Sequence, residues 1–157
     1  MGEQPPGYEL PLLLFAAFRA VIDRAHAELA EHGHPDVRPM HGFVFQAIGT
    51  GGTTAVELAA RLGVTKQAAG KTITALERQG YLERAADPRD ARAKTVRLTA
   101  RGVEVLELSA RAFDAVQAQW AETLGDDRLA ELHEDLRTLA PGELFRLDAP
   151  GWFGRTS

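Results

Sequence analysis

The chain has 157 residues, is 45% hydrophobic and carries a formal net charge of -4, which suits one globular domain with a real core and excludes a disordered or collagen-like polymer. It contains no cysteine, so a disulfide framework, a thiolate nucleophile, a Cys-based zinc site and a thiol-based peroxide switch are all excluded. The charge is uneven: residues 1–60 sum to -4, residues 61–102 to +6 and residues 103–157 to -6, so a basic middle third sits between acidic flanks, as expected where a polyanion docks.

The first predicted helix covers Leu10 to Leu29, where Leu14, Phe15, Phe18, Val21, Ile22, Ala25 and Leu29 recur at three- and four-residue steps. Its opening apolar run, Leu10 to Ala17, is too short to span a bilayer and follows no basic region, so no membrane helix or signal peptide is expected and the expected location is the cytoplasm. His32, Gly33, His34 and Pro35 end this helix. A second, short helix is expected over Pro39 to Ile48, with Met40, Phe43, Val44, Ala47 and Ile48 buried, and glycines 49, 51 and 52 close it.

In "TTAVELAARLG", Thr54 and Glu57 form a T-x-x-E capping box that starts a third helix, with Val56, Leu58, Ala59 and Leu62 as its apolar side. Gly63 supplies a tight turn, and Thr65 offers an N-cap to a fourth helix that ends at Gln79 and Gly80. On a wheel of about 100° per residue, Thr65, Ala69, Thr72, Ile73 and Leu76 fall on one side, and Gln67, Gly70, Lys71, Thr74 and Arg78 on the other. Two short helices joined at a glycine turn, the second presenting amide, hydroxyl and amine groups, match a helix-turn-helix whose second helix enters the major groove; an ordinary helical hairpin with a solvated face is the competing reading.

Tyr81 to Ala86 and Ala93 to Thr99 read as strands of a hairpin with "DPRDAR" at its tip. A basic loop therefore stands beside the proposed recognition helix, placed to reach the phosphate backbone and a neighbouring minor groove. Thr99 is a candidate N-cap for a long helix on which Val103, Leu106, Ala110, Phe113, Ala115, Val116, Trp120 and Leu124 recur at helical spacing. A last helix is expected over Asp126 to Leu139 with Leu129, Leu132, Leu136 and Leu139 inward, and Trp152 and Phe153 are candidate anchors for the tail.

The stretches "ELAARLGVTKQAAGKTITALERQGYLER" and "DPRDARAKTVRLTARG", with the order of helices around them, resemble the MarR family (multiple antibiotic resistance regulator type) of bacterial winged helix-turn-helix repressors over roughly Leu10 to Leu139. The resemblance implies a mainly α fold with a small β-hairpin wing: a winged helix-turn-helix DNA-binding lobe at about 53–99, and dimerisation helices at about 10–48 and 100–140. It implies a homodimer that binds a pseudo-palindromic double-stranded operator, acts as a transcriptional repressor without catalysis, and is released by a small aromatic or anionic effector. Apolar stripes in both terminal regions exceed what a separate winged-helix core could cover, which supports an interface independently.

Mapped onto this chain, the family's DNA contacts fall on Thr65, Lys66, Gln67, Gly70, Lys71 and Thr74 of the recognition helix and on Arg89, Arg92 and Lys94 of the wing. Gln67 and Lys71 are assigned to base edges, Thr65 and Lys66 to phosphates, and Asp90 to holding Arg92 in shape. Ala91 stands where many relatives carry another Arg, and Gly70 lies mid-helix at a cost of about 1 kcal/mol against Ala. Phe15, Phe18, His41 and Phe45 are candidates for lining an effector pocket, although Phe15 and Phe18 also read as packing residues. His26, His32, His34 and His41, near Asp23, Glu28, Glu31 and Asp36, allow a metal-responsive alternative of the same fold, with solvated or capping histidines as the simpler account; no metal or cofactor is expected. A DNA-independent interaction module is the contrasting class.

Overall fold

The structure, a computed structural model, describes residues 5–140 and 142. Six helices and three short strands follow in the order α1 (Glu9–Glu31), α2 (Pro39–Ile48), β1 (Thr53–Thr54), α3 (Ala55–Leu62), α4 (Lys66–Arg78), β2 (Leu82–Asp87), β3 (Asp90–Leu98), α5 (Ala100–Leu124) and α6 (Asp126–Leu139). Trp152 and Phe153 lie outside the described residues. Among those described, no helix is long and apolar enough to cross a membrane.

Local chemistry sets the boundaries. At the start of α3 the Thr54 hydroxyl accepts from the Glu57 N–H at 3.2 Å while the Glu57 carboxylate accepts from the Thr54 N–H at 2.9 Å, the reciprocal arrangement that the T-x-x-E spacing predicts. Gly63 ends α3 at φ +66°, a left-handed conformation that an L side chain rarely adopts, and the Thr65 hydroxyl then accepts from the Ala68 N–H at 3.1 Å to cap α4. Thr99 joins the sheet to α5: its N–H donates to the Tyr81 carbonyl at 3.0 Å, its hydroxyl donates to the Gly80 carbonyl at 2.6 Å, and the same oxygen accepts from the Gly102 N–H at 3.2 Å. A Cβ at position 102 would collide with the Tyr81 carbonyl, so the Leu-Thr-x-x-Gly run is a packing requirement where α5 passes close beneath the end of α4.

The predicted two-stranded hairpin is a three-stranded antiparallel sheet of order β1-β3-β2. Thr53 pairs with Val96 and Thr54 with Thr95, a two-residue strand too short to leave an alternating pattern in sequence. The hairpin is also tighter than expected: β2 runs on to Asp87 and β3 begins at Asp90, leaving Pro88 and Arg89 at the tip.

The core gathers Leu29, Val44, Phe45 and Ile48 with Leu58, Leu62, Ile73 and Leu76, and closes with Tyr81, Leu82, Val96, Leu98, Val105 and Leu108. On α5 the fully buried stripe is Val105, Leu108, Ala112 and Val116, offset from much of the predicted one, whose Val103, Leu106, Phe113, Trp120 and Leu124 are half-buried. Other apolar positions also face outward in the single chain. Leu14, Phe15 and Val56 are exposed, as are Leu136 and Leu139 of α6, where only Leu129 is buried among the four leucines expected inward. Thr65, placed by the wheel on the packing side, is exposed because its hydroxyl serves as a cap at the helix end rather than as an interior side chain.

Candidate nucleic-acid interface

Helix α4 presents Lys66, Gln67, Lys71 and Arg78 to solvent, with Gly70 and Thr74 half-buried along the same face. Ala69, Ile73 and Leu76 on the opposite face anchor it in the core. An added Cβ at Gly70 meets nothing within 4 Å, so in the free protein this glycine leaves a gap in the side-chain cover of the exposed face. The N-terminus of α4 opens beside Thr65, Lys66 and Gln67, and it contributes exposed N–H groups and the positive end of the helix dipole.

The wing is tied to this helix by a residue that patterning alone does not single out. Arg84 of β2 lies 3.1 Å from the Glu77 carboxylate and donates to the Thr74 hydroxyl at 3.3 Å, so Thr74 is engaged with the protein itself. Its only signal in sequence is membership of the basic segment; the pairing depends on how β2 leaves α4. At the wing tip Asp87, not Asp90, holds a guanidinium. The Asp87 carboxylate accepts from the Arg89 N–H at 2.8 Å and from its Nε and Nη2 at 3.2 and 3.3 Å. Asp90 instead accepts from the Arg92 backbone N–H at 2.9 Å, a carboxylate closing on the amide two residues ahead, which leaves the Arg92 side chain exposed. The Arg89 guanidinium holds the Asp87 carboxyl below the usual carboxylate range, and Asp87 in turn raises Arg89.

Positive charge in residues 61–102 thus divides into two sets. Arg61 donates to the Ala47 carbonyl at 2.6 Å, Arg97 pairs with Glu83 at 2.6 Å, Arg101 packs on Tyr81, and Arg84 and Arg89 are paired as described. Lys66, Lys71, Arg78, Arg92 and Lys94 are exposed with no ion-pair partner among the described residues, and all five lie on α4 or the wing strand β3. Charge that is solvated and uncommitted costs least to bring against phosphate.

The proposed pocket residues are not gathered in the same way. Phe15 is 52% exposed, whereas Phe45 is fully buried with its ring 5.6 Å from that of Tyr81. Phe18 stacks on Phe43 at 6.4 Å. His41 caps α2, its Nδ1 accepting from the Arg38 N–H at 3.2 Å. Burial, then Arg38 and His26, hold His41 below the ordinary histidine value, and burial lowers His26 against the opposing pull of Asp23. A crevice of about 730 Å³ opens elsewhere, between α5 and α6, lined among others by Gln117, Ala121, Leu129, His133 and Arg137. The histidines are dispersed as well: His32 bonds the Glu28 carbonyl at 2.8 Å and His34 is buried against Tyr81. Among the described residues no group of three His, Cys, Asp or Glu side chains stands ready to hold a metal ion.

Residues 36–93 match the MarR family in sequence, a span that runs from the turn before α2 to the returning strand of the wing. No curated protein matches the chain. Solved structures do: Streptococcus pneumoniae FabT in complex with DNA is 21% identical with a TM-score of 0.73, over 85% of this chain and 94% of that one. A mutant of S. aureus MepR bound to an oligodeoxyribonucleotide is 20% identical with a TM-score of 0.58, over 83% and 94%. Wild-type apo MarR from E. coli is 23% identical with a TM-score of 0.62, over 88% and 100%. Residues 36–93 thus match the MarR family in sequence, and most of the described chain shares the winged helix-turn-helix fold of these solved structures.

Proposed function

We infer that the protein is a sequence-specific double-stranded DNA-binding transcriptional repressor that works as a homodimer on a pseudo-palindromic operator. The observation that carries this is the set of five uncommitted cations on α4 and β3, on a chain whose net charge is negative. In this reading residues 53–99 form the DNA-binding lobe. Gln67 and Lys71 meet base edges, where an amide pairs bidentately with adenine and an amine with guanine. Thr65, Lys66 and the amides at the α4 N-terminus meet phosphates, Gly70 admits close approach of the helix backbone, and Thr74 is oriented by Arg84. Arg92 and Lys94 reach the flanking backbone or minor groove, while Arg89, held by Asp87, sets the shape of the tip.

Residues 10–48 and 100–140 supply the dimer contact. The support is apolar surface that the single chain leaves uncovered: Leu10, Leu12, Leu13, Leu14 and Phe15 on α1, Leu136 and Leu139 on α6, and the half-buried stripe through Leu106, Phe113 and Trp120 on α5. A small aromatic or anionic effector entering beside Phe15, Phe18 and His41 would reach Phe45 only by displacing α2. Binding that favours such a displaced form would shift the population away from the spacing an operator requires.

Selection of DNA from a random duplex library, followed by gel shift, tests the reading. The expected site is an inverted repeat whose half-site centres lie about 10–10.5 base pairs apart or a multiple of that. A library that yields no enriched duplex would refute it.

A further inference from the structure

Tyr81 is 1% exposed and follows the recognition helix directly, its N–H closing the helix end on the Leu76 carbonyl at 3.0 Å. Its hydroxyl joins three elements. Arg101 of α5 donates to it at 3.2 Å and also donates to the carbonyl of Gly33, in the turn after α1, at 3.1 Å. His34 of that turn, also 1% exposed, has Nδ1 at 3.1 Å from the same hydroxyl and Nε2 at 3.2 Å from the Glu104 carboxylate of α5. The Arg101 guanidinium lies 4.8 Å from the Tyr81 ring centroid and Phe45 of α2 packs against the ring.

Hydrogen-bond polarity makes this network directional. A guanidinium has donors only, so the Tyr81 oxygen must accept from Arg101 and its own hydrogen is free for His34 Nδ1. His34 then carries its hydrogen on Nε2, where a carboxylate accepts it. All buried side-chain polar atoms among the described residues have partners, and removal of one member would leave buried groups unmatched.

We propose that Tyr81, His34, Arg101 and Glu104 form a joint that locks the end of the recognition helix to α1 and α5, and thereby sets the angle at which α4 meets DNA. They are positioning residues, since none needs to touch the duplex. The inference rests on the DNA-binding reading for its consequence, but the joint itself is measurable without DNA.

Tyr81→Phe in the full chain is the direct test, with Arg101→Lys as a second variant that keeps the charge and loses the planar guanidinium lying over the Tyr81 ring. Because the chain has no cysteine, Ala75→Cys on α4 and Glu107→Cys on α5 can carry spin labels, diluted into unlabelled protein so that one chain's distance is read. A broadened or shifted α4 to α5 distance is expected. Unlabelled variants should lose at least tenfold in affinity for the selected duplex with the salt dependence unchanged, because no phosphate-binding group is removed. A lowered melting temperature with an unaltered distance, or an altered distance with unaltered affinity, would overturn the proposal. If the wild type binds no duplex at all, the DNA-binding reading fails and the distance alone decides whether the joint exists.

Discussion

Two glycines in the same chain respond in opposite ways to an added methyl group. At Gly102 a Cβ would strike the Tyr81 carbonyl and press on the Leu98 side chain at 3.2 Å, so Gly102→Ala should lower stability by about 1–3 kcal/mol, as overpacking does, measured by urea unfolding. At Gly70 there is open space, so Gly70→Ala should raise stability by about 1 kcal/mol through helix propensity alone. If Gly70→Ala also weakens DNA binding, the helix backbone approaches the duplex there; unchanged binding would leave this glycine without a role in contact. His41 gives a third expectation. Its Nδ1 must stay unprotonated to accept from the Arg38 N–H, and burial depresses both His41 and His26. The folded state then binds fewer protons than the unfolded state below the ordinary histidine value of about 6.5, so stability is full above that pH and declines as pH falls beneath it. The thermal midpoint should drop between pH 7.5 and 5.5. His41→Asn, which keeps an acceptor near the Nδ1 position, together with His26→Gln should flatten that slope, and an unchanged slope would exclude the pair as its source.

Elements whose boundaries are written in short-range chemistry are legible in the sequence. The Thr54–Glu57 box, the Gly63 turn and the Thr65 and Thr99 caps each act within four residues, and each stands where the spacing predicts. What escapes such reading depends on interactions remote in sequence. Strand β1 exists because Thr53 meets Val96; the Arg84 brace exists because β2 folds back along α4; and Asp90 closes on the Arg92 N–H instead of holding its guanidinium, while Asp87 takes Arg89, because the hairpin closes between residues 87 and 90. Phe45 is the instructive case at the candidate pocket. A phenylalanine one position off the expected stripe of α2 suggests a lining residue, yet α2 is enclosed by α3, α5 and β3 and so buries a wider arc than a surface helix does.

For the whole molecule, the uncovered apolar surface is the feature that a single chain leaves unexplained. Leu10, Leu12, Leu13, Leu14 and Phe15 lie at all angles around the first turns of α1, and a helix apolar all round needs neighbours on more than one side. On the homodimer reading, Leu13→Lys with Leu14→Lys should shift the protein from dimer to monomer in sedimentation at micromolar concentration, and should weaken binding to an inverted repeat far more than to a single half-site, since only the former gains from linked subunits. A sedimentation coefficient that stays at the wild-type value would place the interface elsewhere.

The uncommitted cations of α4 and the wing, on this account, face a duplex, with Lys71 at a base edge and Arg92 at the flanking backbone or minor groove. Affinity for the selected duplex measured across a salt series, for the wild type and for a variant with both Lys71→Glu and Arg92→Glu, tests this most directly. The wild type should show a steep linear fall of log affinity with log salt, and the variant should bind at least a hundredfold more weakly with a slope shallower by about 0.9 for each phosphate that is no longer neutralised. Equal affinities and equal slopes for the two proteins would contradict the account.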